Sequence, residues 1–224
     1  MVDKKKYAFG ASAGIAAAVA TILGGVYQNE GWYSDNKNDR GGKTTWGVTE
    51  VVARDEGWKG DMKAFPKQCD SADDICADKV YYQRYIESVG YVPIIAADPF
   101  IGEELVDTGV NMGPAKPSTW LQQSINLQCP SAKLVADGRV GPGTQKAFVA
   151  CQAQVGKVAF CKATITYLDA KQKDRYNWIV ANNPSQKVFL RGWLRLRIGN
   201  VDIKQCESLV APVPAPVPNT TPKV

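Results

Sequence analysis

Between Asn29 and Glu50 the chain reads NEGWYSDNKNDRGGKTTWGVTE. Eight residues separate the carboxyl groups of Glu30 and Asp39, and five more separate Asp39 from Thr45. Two carboxyls in different surroundings can divide a reaction between a protonated acid and an ionised partner. Trp32 and Tyr33 follow Glu30 closely, and partial desolvation by their rings would raise its pKa, as a general acid near neutral pH requires. A solvated glutamate at a helix C-terminus would use the same residue type, so the rest of the chain has to decide. The sequence contains no histidine. Ser-His-Asp triads, Cys-His nucleophiles and His-ligated zinc cannot be built from it, which disfavours zinc amidases and Cys-His peptidases. What remains is chemistry that carboxylates perform alone, with glycoside hydrolysis foremost; it needs no metal and no cofactor.

These residues need a helix and a turn to hold them. Val19, Ile22, Leu23 and Val26 recur at helical spacing and lead to Glu30, one turn beyond Val26, so one helix is expected to carry the acid at its end. Gly24 and Gly25 each weaken that helix by about 1 kcal/mol relative to Ala, which predicts a hinge or break there. Asn36 to Gly42 reads as an exposed turn, and Thr44 to Thr49 as a short strand or hairpin arm. The stretch from Tyr7 to Tyr27 is uncharged, follows Lys4, Lys5 and Lys6, and is more than half Ala and Gly. It is just long enough to cross a bilayer with a cytoplasmic N-terminus, though its few strongly apolar residues make insertion marginal. A cleaved signal peptide with Ala18-Val19-Ala20 at the cleavage site, a permanent anchor, and a signal-anchor that later leaves the membrane all fit. The third is favoured, because one helix then serves export and catalysis, and the lipid-held form would be inactive.

The order Glu30, Asp39, Thr45 resembles the Glu/Asp/Thr triad of phage-type lysozymes. The fuller wording resembles glycoside hydrolase family 108, whose signature runs approximately E-G-G-Y, D-P-G-G-x-T and G-I-T; Glu30, Gly31, Tyr33, Asp39, Gly41, Gly42, Thr44, Gly47 and Thr49 match it. Trp32 replaces the second glycine and Arg40 the proline. The resemblance continues in Gly57 to Met62, in Tyr81 to Tyr85, in Asp107 to Pro114 and in Phe189-Leu190-Arg191-Gly192-Trp193.

That resemblance implies a mainly helical (α+β) lysozyme-like fold with a small β-hairpin near the site, acting on the β-1,4 bond between N-acetylmuramic acid and N-acetylglucosamine in bacterial peptidoglycan. Glu30 would protonate the leaving oxygen. Asp39 would stabilise the developing oxocarbenium or orient water, and Thr45, or equally Thr44, would hold that water. Phage-type enzymes imply inversion. Trp32 and Tyr33 are the aromatic candidates for sugar contact, and Asp107 and Asn111, four apart on one helix face, are the polar ones. A wall-binding protein without activity and a lytic transglycosylase are the competing readings.

Asp137-Gly138-Arg139-Val140-Gly141-Pro142-Gly143-Thr144 resembles the D-G-x-x-G-P-x-T signature of a small helical peptidoglycan-binding module. It forms a tight loop before an amphipathic helix with Ala147, Phe148 and Cys151. The expected organisation is an N-terminal segment over 1–27, a lysozyme-like domain over 28–125, the module over 126–208 and an extended Pro-rich tail over 209–224. The formal charge of +5 is too diffuse for nucleic acid and suits anionic polymers and envelope surfaces. A monomer is expected, exported through the host inner membrane and then periplasmic. Six cysteines without a metal-binding pattern favour disulfides; the local pairs Cys69–Cys76 and Cys151–Cys161 are the ones expected.

Overall fold

The computed structural model describes residues 13–30, 32–35, 42–71 and 73–210, excepting the side chains of Ala13 and of residues 28–30. The fold is mainly α with one small antiparallel sheet. Helix α1 (Ala13–Glu30) leads into strands β1 (Tyr33–Ser34), β2 (Thr44–Thr45) and β3 (Val48–Thr49), then α2 (Glu50–Asp55). After a loop held by the Cys69–Cys76 disulfide come α3 (Ala77–Tyr82), which runs on as a π-helical turn over Gln83–Glu87, α4 (Val92–Ala97) and α5 (Pro99–Met112). The second half is α6 (Ala115–Gln128), α7 (Pro142–Val155), the long α8 (Lys157–Asn182) and α9 (Lys187–Arg197). The tail beyond Val210 lies outside the described residues.

Helix α5 is the axis of the molecule. Ile101, Leu105 and Val106 are fully buried, and α5 packs against α1 and α4 on one side and α6 and α8 on the other. Its closest approach is to α4, where a Cβ on Gly102 would stand 2.5 Å from Ile95 Cγ1. Asp98 starts α5 by accepting from the N–H groups of Phe100 and Ile101, and Gly113, at φ 83°, ends it before Pro114. The predicted Gly-Pro stop is therefore present.

Helix α1 does not break at Gly24 and Gly25, contrary to the expected hinge. Docking supplies what propensity lacks: Val19, Ile22, Leu23 and Val26 are each at most 3% exposed, and Gly25 lies against α5, where a Cβ would be 3.7 Å from Glu103 Oε1. The residues that made a membrane span plausible are core residues here. Among the described residues no helix is long and apolar enough to cross a membrane.

Three disulfides join Cys69–Cys76, Cys129–Cys151 and Cys161–Cys206. The first was expected; the pairing of Cys151 with Cys161 is corrected. Cys151 faces the end of α6, with its sulfur 3.9 Å from Ile125 O, whereas Cys161 faces the start of α5, 3.6 Å from Asp98 Oδ1. The turn at Gly156 brings the two helices together without bringing these faces together.

Two buried carboxyls tie stability to pH. Burial pushes Asp98 up to about 6, against hydrogen bonds from Ile101, Phe100 and Gln152. Burial also holds Glu104 well above its usual value, aided by Asp169 and Asp107. Both folded-state pKa values exceed those of the unfolded chain, so the fold binds extra protons, for Asp98 in the window up to about 6. Stability is gained as pH falls through that window and lost as it rises. Thermal melting is expected to be higher at about pH 5 than at about pH 7, and Asp98→Asn should flatten the difference.

Candidate active site

Glu30 is the last residue of α1, and Tyr33, three residues on, pairs directly with Thr45 across β1 and β2; Ser34 pairs with Thr44. The β2–β3 turn is Trp46-Gly47, both at positive φ (54° and 74°). That backbone is the one tight antiparallel hairpins favour, with glycine at the second position. Thr44 to Thr49 is therefore a whole hairpin rather than one arm of it. Thr49 caps α2 by accepting from Val52 N–H at 3.4 Å. The helix end, the strand pair and the turn form one local unit, in which α1 ends three residues before the strand residue that pairs with Thr45. Asp39, within 36–41, and the side chain of Glu30 lie outside the described residues.

A polar and aromatic brace fixes this unit from behind. Tyr27, just under one helical turn before Glu30, donates to Asp78 Oδ1 at 2.6 Å. Its ring meets Tyr81 and Trp46 edge-on at 5.6 and 6.4 Å. Lys67 Nζ lies 4.3 Å from the centre of the Tyr27 ring and 5.5 Å from that of Trp46. Trp46 Nε1–H donates to Phe65 O, and Tyr81 O–H donates to Trp46 O. Burial drives the Tyr27 hydroxyl far above its ordinary pKa, with the Asp78 charge adding to it, so Tyr27 stays a donor. Burial likewise raises Asp78. The last turn of α1 is thus pinned to the hairpin and to α3.

Residues 23–113 match the family model described as Glycosyl hydrolase 108, and residues 116–198 match that described as Predicted Peptidoglycan domain. The N-terminal half of this chain is thus similar to glycosyl hydrolase 108 domains. No curated protein matches the chain. Among solved structures, SagA of Brucella abortus is similar in fold, with a TM-score of 0.58 at 22% identity over 86% of this chain and 95% of that one. The first match ends at Gly113 and the second begins at Lys116, and α6 packs on α5 as well as on α7 and α8. The two matches together support a lysozyme-like glycoside hydrolase that acts on peptidoglycan.

Within the matched residues 23–113 the two threonines differ. Thr45 is fully buried, and its hydroxyl donates to Met62 O at 2.7 Å. Thr44 Oγ1 is buried without a hydrogen-bond partner among the described residues. A buried hydroxyl left unsatisfied costs stability and gains from any partner that reaches it. Thr45→Val is expected to lower stability by about 1–3 kcal/mol, because the Met62 carbonyl loses its donor. Thr44→Val should melt no lower than wild type, yet slow glycan cleavage about 10–100-fold through misplaced water. Denaturant unfolding and a reducing-end assay read the two effects separately.

Trp32 is 58% exposed and stands 6.0 Å from the Tyr33 ring, over which Lys63 Nζ sits at 5.5 Å. The nearby carboxylate of Asp35 helps to hold the exposed Tyr33 hydroxyl above its ordinary pKa, after desolvation, which contributes most. Both rings are on the hairpin side of the domain, at the sequence position next to Glu30. Asp107 and Asn111 do share a face of α5, and it meets the second domain: Arg197 Nη1 donates to Asp107 Oδ1 at 2.5 Å, and Tyr176 O–H donates to Asn111 Oδ1 at 2.8 Å. Among the described residues no group of three or more His, Cys, Asp or Glu side chains is placed to hold a metal ion.

In the second domain the Asp137 to Thr144 signature is a braced loop. Gln122, buried on α6, donates to Asp137 Oδ1, Arg139 O and Thr144 Oγ1 and accepts from Gly138 N–H. These residues shape the entry to α7, where Phe148 meets Phe160 edge-on at 5.1 Å. The brace and α5's partners in the second domain, Tyr176 and Arg197, were not foreseen from sequence. Only the short spacing from Tyr27 to Glu30 offered a local clue.

Proposed function

We propose that this chain is a muramidase that hydrolyses the β-1,4 bond between N-acetylmuramic acid and N-acetylglucosamine. Glu30 is its general acid. The observation that carries the reading is the termination of α1 at Glu30, three residues before the strand that pairs with Thr44 and Thr45, inside the glycosyl hydrolase 108 match. In the reaction Glu30 protonates the glycosidic oxygen as the bond to C1 breaks. Asp39 offsets the positive charge growing on the muramic acid ring or orients the attacking water, and the free hydroxyl of Thr44, rather than Thr45, holds that water. Phage-type chemistry favours inversion, with the two carboxyls about 6.5–9.5 Å apart to admit the water. Trp32 and Tyr33 supply stacking surface for the sugars.

The same reading makes the chain a monomeric lysis enzyme exported through a host inner membrane. Three disulfides suit an oxidising compartment. The four side chains that anchor α1 in the core can be buried in lipid or in the domain, but not in both at once, so release from the membrane and assembly of the site coincide. Membrane-held protein with full activity would defeat that part. For the chemistry, purified peptidoglycan is digested and the new ends are reduced and identified. Reduced muramic acid ends are expected from wild type and not from Glu30→Gln; a Glu30→Gln variant that cleaves at the wild-type rate would defeat the assignment.

A further inference from the structure

Helix α9 leaves a broad face in water. Around its axis, at 3.6 residues per turn, the outward arc runs from Arg191 and Arg195 through Val188 and the half-buried Gly192 to Leu196 and Phe189. Val188 is 77%, Phe189 52% and Leu196 44% exposed. The opposite side holds the helix in place: Trp193 stacks on Tyr176 at 4.9 Å, and Phe189 stacks on Trp193 at 5.8 Å. The Phe189 ring is thus the outer layer of a fixed aromatic stack, with its far side open. Arg191 and Arg195 are exposed and are in no ion pair among the described residues. The helix contains no Asp or Glu.

Gly192 lies in the middle of this arc. Glycine weakens a helix interior, and a Cβ built there meets nothing within 4 Å. The protein's own packing therefore does not require it, and its use is to let something outside come close to the helix backbone. Cations on one edge, an aromatic ring and a leucine on the other, and a notch between them fit a polymer that carries both sugar faces and carboxylates. An interfacial lipid helix would instead present a continuous apolar band at the centre of the face; here Val188 and Gly192 share the centre, the glycine parts Val188 from Leu196 and Phe189, and the cations stand on one side only.

We propose that the Phe189–Gly192–Arg191/Arg195 face of α9 is a peptidoglycan-binding site. The glycan strand crosses the helix over Gly192, an N-acetylated sugar lies on Phe189 and Leu196, and the stem-peptide carboxylates meet Arg191 and Arg195. The proposal rests on peptidoglycan being the substrate, and it assigns the wall-holding surface of the second domain, apart from the cleavage site.

The test uses the full chain carrying Glu30→Gln, so that the polymer survives, and measures co-sedimentation with purified sacculi. Adding Gly192→Leu should weaken binding about tenfold or more while thermal melting stays level or rises, since the helix gains propensity and the added Cβ meets nothing within 4 Å. Adding Arg191→Gln with Arg195→Gln should weaken binding similarly and reduce its dependence on salt. Unchanged sacculus affinity in both variants would overturn the site. So would binding of the parent to phosphatidylglycerol vesicles but not to sacculi, which would give this face to the membrane. If Gly192→Leu melts lower, the arginine variant alone decides. Cleavage by the chain with Glu30 intact separates the two proposals: cleavage with α9-independent binding removes only this site, and α9-dependent binding without cleavage removes only the muramidase.

Discussion

Glu30→Gln is expected to slow glycan cleavage by about 10²–10⁴-fold, the range supplied by a well-placed general acid. Gln keeps the shape of the side chain and gives up the proton, so the loss falls on the step in which the leaving oxygen must be protonated. The fold should not change. Helix α1 is held by Val19, Ile22, Leu23 and Val26 in the core and by the Tyr27–Asp78 hydrogen bond, none of which involves the Glu30 carboxyl. A variant that melts with wild type, binds sacculi and fails to cleave them would separate chemistry from structure. The pH profile adds a second readout: the limb set by deprotonation of the acid should disappear with Glu30.

Arg197→Met is expected to cost about 3–5 kcal/mol, or a fall in melting temperature of roughly 6–20 °C for a chain of this size. Arg197 and Asp107 expose only 8% and 7% of their side chains. Withdrawing the guanidinium leaves the Asp107 carboxylate inside, close enough to Glu103 and Glu104 to raise their pKa values already. Because Arg197 closes the second domain onto α5, and α5 carries α1, part of the damage should reach cleavage as well. The partner experiment replaces both members, Arg197→Met with Asp107→Leu. Two apolar side chains remove the stranded charge, and most of the stability should return. A single variant as stable as wild type would show that the pair contributes nothing to the joint between domains.

What could be read from the sequence was what depends on neighbours along the chain. The stripe from Val19 to Val26 pointed to a helix ending at Glu30 because helical period is a local property, and Gly113-Pro114 pointed to the end of α5 because those residues cannot continue one. Cys69 and Cys76, seven apart, could pair through a short loop. The misjudged features are long-range. Cys161 reaches Cys206 across 45 positions, past α9, and Arg197 meets Asp107 across 90; neither follows from spacing. Asp107 and Asn111 were recognised as sharing a face, but which object that face meets depends on where α8 and α9 fold back. The hinge expected at Gly24 and Gly25 fails for the same reason: propensity describes an isolated helix, and α1 is not isolated. Likewise Thr44 and Thr45 are equivalent as letters, and only the Met62 carbonyl beneath Thr45 distinguishes them.

The most direct measurement is digestion of purified peptidoglycan in heavy-oxygen water, followed by mass spectrometry of the muropeptides released. A muramidase leaves reducing N-acetylmuramic acid ends that carry one heavy oxygen at C1, and leaves none when Glu30 is Gln. Anhydro-muramic ends without the label, or labelled ends on N-acetylglucosamine, would contradict the reaction proposed here.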